Sequence, residues 1–204
     1  MKKALIVVDV QNDFCPNGSL AVNDGDKIVE PILRMMKSGD YDLLVGTLDW
    51  HPVNHISFAS RHGVEPFTTK EIYGREERLW TDHCIQNTEG ADFHPTLKKE
   101  VALFDEIFKK GCDIDVDSYS AFFDNGNKDN HRKDTGLSTY LKNNGIEEIH
   151  VVGLAFDVCV KFTAVDGYNE GFKTTIIMEG CKAVDANGVD SVVAELKEMG
   201  IDCL

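Results

Sequence analysis

Short, nearly continuous apolar runs recur along the chain, at Ala4–Val8, Leu43–Leu48, Leu103–Phe108, Ile149–Leu154, Thr175–Met178 and a terminal Ile201–Leu204. Runs without alternation suit strands covered on both faces. Between them the apolar spacing becomes helical. Ile28, Ile32, Leu33 and Met36 share a stripe with Pro31 placed early, and Leu137, Tyr140 and Leu141 form a second stripe stopped by Asn144-Gly145. Val158, Phe162 and Val165 form a third. Asn187 is placed to cap a fourth helix, which carries Val192, Val193 and Leu196 and ends at Gly200. Strand and helix alternate, which predicts an α/β fold on a mostly parallel sheet, in a single domain spanning residues 1–204.

Two segments are too long to be routine connections: Asp49 to about Glu100, and Lys110 to about Asp134. Each follows the C-terminal end of a predicted strand, where open α/β sheets bind ligands. The polar stretch DNGNKDNHRKD, Asp124–Asp134, reads as a solvated loop.

The net charge of −14 argues against a nucleic-acid partner, which needs a basic face, and favours a small molecule. The opening MKKALIVVDVQ has two lysines before an apolar run, but Asp9 breaks that run short of the roughly 7–15 apolar residues of a signal h-region. No stretch approaches the roughly 20 apolar residues of a membrane span. The six cysteines show no CxxC and no paired spacing, so reduced thiols in a cytoplasmic protein are expected.

Chemically capable residues stand at four strand ends: Asp9, Asp49, Lys110 and, through Gly153, Cys159. Taken singly, Asp9 is as readily a cap, Lys110 a solvated ammonium and Cys159 a packed thiol. Together they are a base, a cation and a nucleophile. Cys159 falls at a predicted helix start, where free backbone N–H groups and the helix dipole favour an anion. With a lysine nearby, such a setting is expected to lower a thiol pKa from about 8.5 to roughly 3.5–7.5. These are the parts of acyl transfer. In LDWHPVNH, Asp49 and His51 are two apart and face one way in extended chain, and His83 follows in WTDHC. An oxygen and two imidazoles make a divalent-ion site with open positions. A DxH alone is weak evidence; His55 and His62 are further candidates, His55 as a fourth ligand, although scattered loop histidines are usually solvated.

At these residues the sequence resembles the nicotinamidases of the isochorismatase-like cysteine hydrolases. ALIVVDVQNDFCPNGSL, DWHPVNHISFAS, WTDHCIQNTEGADFHP, KKGCDIDVDSYSAF and GLAFDVCVKFTAVDGYNEGF resemble five family segments, in order, over nearly the whole chain. The resemblance implies a three-layer α/β/α fold around a six-stranded sheet. It implies Cys159 as nucleophile, Asp9 as general base and Lys110 as third member of the triad. Asp49, His51 and His83 would hold one divalent ion, zinc first, with iron or manganese as alternatives. The N–H groups of Ala155 and Cys159 would form an oxyanion hole beside a cis Leu154–Ala155 peptide. Phe14, Trp80 and Tyr119 would line the substrate pocket. Gln11 belongs to the opening motif.

The implied reaction is hydrolysis of nicotinamide to nicotinate and ammonia through a thioester, in NAD salvage, with pyrazinamide also cleaved and a homo-oligomer compatible with it. Thr81 stands where the family commonly has proline. One rival is another hydrolase of the superfamily, acting on a carbamoyl or ureido amide or on isochorismate. Another is a non-catalytic Rossmann-like binding protein, although no GxGxxG is present.

Overall fold

The computed structural model describes residues 1–204. Its strands are β1 (Lys2–Val8), β2 (Leu43–Asp49), β3 (Thr69–Ile72), β4 (Arg75–Arg78), β5 (Glu106–Lys110), β6 (Ile146–Leu154), β7 (Lys173–Lys182) and β8 (Asp202–Cys203). The helices are α1 (Val29–Met36), α2 (Ala59–His62), α3 (Pro95–Lys98), α4 (Leu137–Asn143), α5 (Lys161–Asn169) and α6 (Val189–Glu198).

Six strands form one sheet in the order β5-β2-β1-β6-β7-β8, with every pairing parallel. Ala4–Val8 of β1 are fully buried, so both faces of the central strand are covered, as its continuous apolar run requires. The result is a three-layer α/β/α fold. The chain runs outward from β1 through β2 to β5, then returns to lay β6 on the other side of β1. That reversal makes β1/β6 the topological switch point, where the strand ends open into a crevice. Asp9 follows β1, Asp49 ends β2, Lys110 ends β5, and Cys159 lies just past β6. The first long excursion carries the antiparallel hairpin β3–β4.

Several local expectations need correction. The third strand is not Leu103–Phe108. Val101–Leu103 forms a tight helical turn, and pairing with β2 runs from Val45↔Glu106 to Asp49↔Lys110. Of the stripe Val158, Phe162 and Val165, the two valines are half-buried against the core and Phe162 is not. Phe162 is 41% exposed, while Thr163, Ala164, Asp166 and Gly167 are the buried face of α5. Small residues there let the helix approach the sheet, since a Cβ on Gly167 would stand 2.4 Å from Ile149 Cδ1. Asn187 is not the cap of α6. The Asp185 side chain accepts from the Asn187 N–H and caps the turn Ala186–Gly188 that leads into the helix. The 124–134 loop is not merely solvated. Arg132 forks onto both oxygens of Asp166 on α5, at 2.9 and 2.7 Å.

Candidate active site

The C-terminal ends of β1, β2, β5 and β6 bring Asp9, Asp49, Lys110 and Cys159 into one buried cluster, each 7% exposed or less. Register explains part of this. Asp49 and Lys110 are paired residues on adjacent strands, and Thr47 lies on the same face of β2 as Asp49. Cys159 sits in a wide helical turn, Phe156–Val160, that runs into α5. The peptide between Leu154 and Ala155 before it is cis, as the resemblance implied.

Lys110 Nζ is 2.7 Å from Asp49 Oδ1, 2.9 Å from the Ser118 carbonyl and 3.5 Å from Cys159 Sγ. Asp9 Oδ2 is a fourth neighbour at 2.9 Å. Asp9 Oδ2 is held by that charge contact without a well-aligned hydrogen bond, although it is fully buried. Its companion Oδ1 accepts from the Thr47 hydroxyl at 2.6 Å. A carboxylate oxygen of Asp9, one of Asp49 and Cys159 Sγ lie within 4.8 Å of one another. The arrangement presents a buried carboxylate near a thiol, with an ammonium against both.

The electrostatics depart from the expected lowered thiol. Burial pushes Cys159 well above an ordinary cysteine. Lys110 opposes that, but Asp9, Asp49 and Asp117 add to it. Burial likewise raises Asp9, against the pull of Lys110 and with the push of Asp49. Burial also works against the Asp49 carboxylate, yet His51 and Lys110 hold it well below the usual range. Burial, with three acidic groups set against one cation, disfavours a standing thiolate, so a neighbouring base suits this site.

Asp49 reaches both halves of the site. Its Oδ2 faces His51 Nε2 at 3.2 Å and His83 Nε2 at 3.5 Å. One ligand atom from each of the three residues falls within 4.8 Å of the others, and all three residues are buried. The far nitrogens are fixed by backbone: His51 Nδ1 lies 2.9 Å from the Gly111 carbonyl, and His83 Nδ1 lies 2.7 Å from that of Thr81. A carbonyl only accepts, so each Nδ1 carries a proton and each Nε2 is the nitrogen turned toward Asp49. This donor set, with its outer carbonyls in place, fits a divalent cation such as zinc. His55 stacks on His51 with ring centroids 4.1 Å apart, and its nitrogens face Ser57 Oγ and the Val116 carbonyl instead. His62 bonds the Ile56 carbonyl, outside the cluster.

A cleft of ≈ 420 Å³ opens between the cluster and solvent. Phe14, Trp80 and Tyr119 wall it, and Ala155, Cys159, Asp49 and His83 also line it. Trp80 Nε1 donates to Tyr119 Oη at 3.4 Å. Asp9, Asp49, His51, His83, Lys110 and Cys159 therefore meet at this one site with Phe14, Trp80, Tyr119 and Ala155, while His62 lies outside it. The sequence reading missed Leu20, Val22, Asp117 and Val184, which also line the cleft. It missed Thr47 and Ser118, the partners of Asp9 and Lys110. Only Thr47 carried a signal, its two-residue spacing from Asp49. Gln11 gains a definite place: its amide clamps the Asp49 backbone on both sides, donating to the carbonyl at 2.8 Å and accepting from the N–H at 2.8 Å.

Comparison with known proteins accords with this geometry. The isochorismatase domain family matches residues 3–204. A nicotinamidase of Escherichia coli K12 is 45% identical over 195 residues, covering 94% of this chain and 88% of that relative. The structure of the yeast nicotinamidase bound to the inhibitor nicotinaldehyde superposes with a TM-score of 0.92 at 34% identity, covering 99% of each chain. A Pyrococcus horikoshii pyrazinamidase in complex with zinc superposes with a TM-score of 0.76 at 32% identity, covering 100% of this chain and 99% of that one.

Proposed function

The chain belongs to the isochorismatase family, and from that membership and the site geometry we propose that it is a nicotinamidase, hydrolysing the carboxamide C–N bond of nicotinamide. The observation that carries the reading is the cluster itself: a buried thiol, a buried carboxylate and an ammonium in contact, beside an aromatic cleft that Cys159, Asp49 and His83 also line. A flat heteroaromatic ring fits between Phe14, Trp80 and Tyr119, with its carboxamide toward Cys159.

In the first half-reaction Asp9 Oδ2 takes the thiol proton as Cys159 Sγ bonds the carboxamide carbon. The N–H groups of Ala155 and Cys159 receive the oxyanion. The C–N bond then breaks as the nitrogen takes the proton from Asp9, and ammonia leaves behind a thioester on Cys159. In the second, Asp9 takes a proton from water, whose oxygen bonds the thioester carbon. The C–S bond breaks, the proton returns to sulfur, and nicotinate is released. Lys110 holds Asp9 and the sulfur together and offsets negative charge as the proton moves.

Asp49, His51 and His83 would hold one divalent cation, zinc first, with iron or manganese as alternatives. When bound, that cation would supply a Lewis acid for the pyridine nitrogen, directly or through bound water. Pyrazinamide carries the same ring nitrogen and carboxamide and is a second substrate. Nicotinate so released feeds NAD salvage.

The test is ammonia release from nicotinamide and pyrazinamide, beside ammonia release from a ureido and a carbamoyl amide and pyruvate release from isochorismate, before and after chelation and zinc replenishment. Turnover of the two pyridine-type amides alone, lost on chelation and restored by zinc, supports the reading. Turnover of a ureido or carbamoyl amide in their place would move the assignment elsewhere in the superfamily.

A further inference from the structure

We propose that Asp13 is a positioning residue for the cation site, setting the spacing of His51 and His83 through the peptide of Cys84; the inference rests on the cation site of the functional proposal. Asp13 touches neither histidine. Its Oδ2 accepts from the Cys84 N–H at 2.7 Å. Cys84 directly follows His83, so this bond fixes the backbone on which that imidazole hangs. The Cys84 carbonyl in turn accepts from the His51 N–H at 2.9 Å. One residue, Cys84, therefore joins the backbones of both histidines through its own N–H and carbonyl, and the Asp13 carboxylate holds its N–H. Cys84 is fully buried and has φ +48°, a left-handed conformation in which a cysteine needs support from its surroundings.

The surroundings of Asp13 are shaped to keep its carboxylate in place. A Cβ on Gly90 would stand 2.2 Å from Asp13 Oδ2, so only glycine leaves the carboxylate where it is. On the other side, Asp13 Oδ1 accepts from the Ser19 N–H at 3.3 Å. Neighbouring Asn12 ties the same loop, its amide donating to the Glu89 carbonyl at 2.7 Å and its N–H to that of Asp92 at 3.0 Å. With Gln11 clamping Asp49, the turn 11–13 reaches the backbones of all three candidate ligands. This gives the QND of the opening motif a physical role beyond its turn geometry.

The test is the zinc dissociation constant, read by competition with a chromophoric chelator, together with the thermal transition of the metal-free proteins. Outer partners of metal ligands are worth about 10–100-fold in affinity. Asp13→Ala is expected to weaken zinc by that factor. Gly90→Ala, which displaces the carboxylate without removing it, is expected to do the same. Asp13→Asn, whose carbonyl can still accept from Cys84, is expected to stay within about threefold of wild type on the same scale. A merely structural Asp13 would lower the thermal transition and leave zinc affinity unmoved. Asp13→Ala or Gly90→Ala binding zinc as tightly as wild type overturns the inference alone. A wild type that takes up no zinc overturns the cation site of the functional proposal and this inference with it.

Discussion

Lys110 Nζ has four close neighbours, and they organise the site at the level of single atoms. One of them is Asp9, whose carboxylate lies within 4.8 Å of Cys159 Sγ and whose Oδ2 is held by charge without a well-aligned hydrogen bond. Asp9→Asn preserves shape and removes the basicity of that carboxylate. It is expected to lower kcat by about 10²–10⁴-fold while KM changes little, because general-base work is made mainly in the transition state. Steady-state kinetics on nicotinamide check this, and a kcat within tenfold of wild type would remove Asp9 as base. The chemically distinctive residues were legible in the sequence because each stands at the end of an apolar run. Thr47 and Ser118 were harder to find. One acts through an ordinary hydroxyl and the other through a backbone carbonyl, neither of which leaves a mark in composition. The direction of the Cys159 shift was also hidden, since the sequence showed the lysine and the helix start but not the depth of burial or the three facing carboxylates.

At the scale of elements, strands were read well and helix faces less well. A strand buried on both sides is a continuous apolar run, which a sequence displays directly. Helix α5 packs through Thr163, Ala164 and Gly167, whose small side chains make no apolar stripe, so the eye follows Val158, Phe162 and Val165 instead. The close packing has a consequence. Gly167→Ala places a methyl 2.4 Å from Ile149 Cδ1 and 3.2 Å from Phe122, where one of the partners must move. The expected cost is ~1–3 kcal/mol of unfolding free energy, read by urea denaturation. An unchanged midpoint would show that the α5–β6 contact relaxes freely. The third strand was misplaced because Leu103 is apolar without being extended; it belongs to the turn that delivers the chain to β5.

For the whole molecule, topology decides where the chemistry falls. The reversal between β1 and β6 puts Asp9 and Cys159 on neighbouring strand ends, and β2 and β5 add Asp49 and Lys110 from one side. All six cysteines are free thiols, and no helix is long and apolar enough to cross a membrane. The buried thiols tie global stability to alkaline pH. Burial pushes Cys181, which is 6% exposed, up to about 12. Below an unfolded value of about 8.5 both states hold the proton and the contribution is complete. Above it the unfolded chain loses the proton first, so stability falls as pH rises toward the folded value, by about 1.4 kcal/mol per pH unit. Urea unfolding between pH 8 and pH 10 is expected to show this slope, reduced in Cys181→Ala; equal slopes in the two proteins would count against it.

The central claim is that Cys159 is the nucleophile of an amide hydrolysis. Ammonia release from nicotinamide, measured on zinc-loaded wild type and Cys159→Ala with matching thermal transitions, tests it most directly. The account predicts release by the wild type and none above background by the folded variant. Release by Cys159→Ala at a rate near that of the wild type would contradict it.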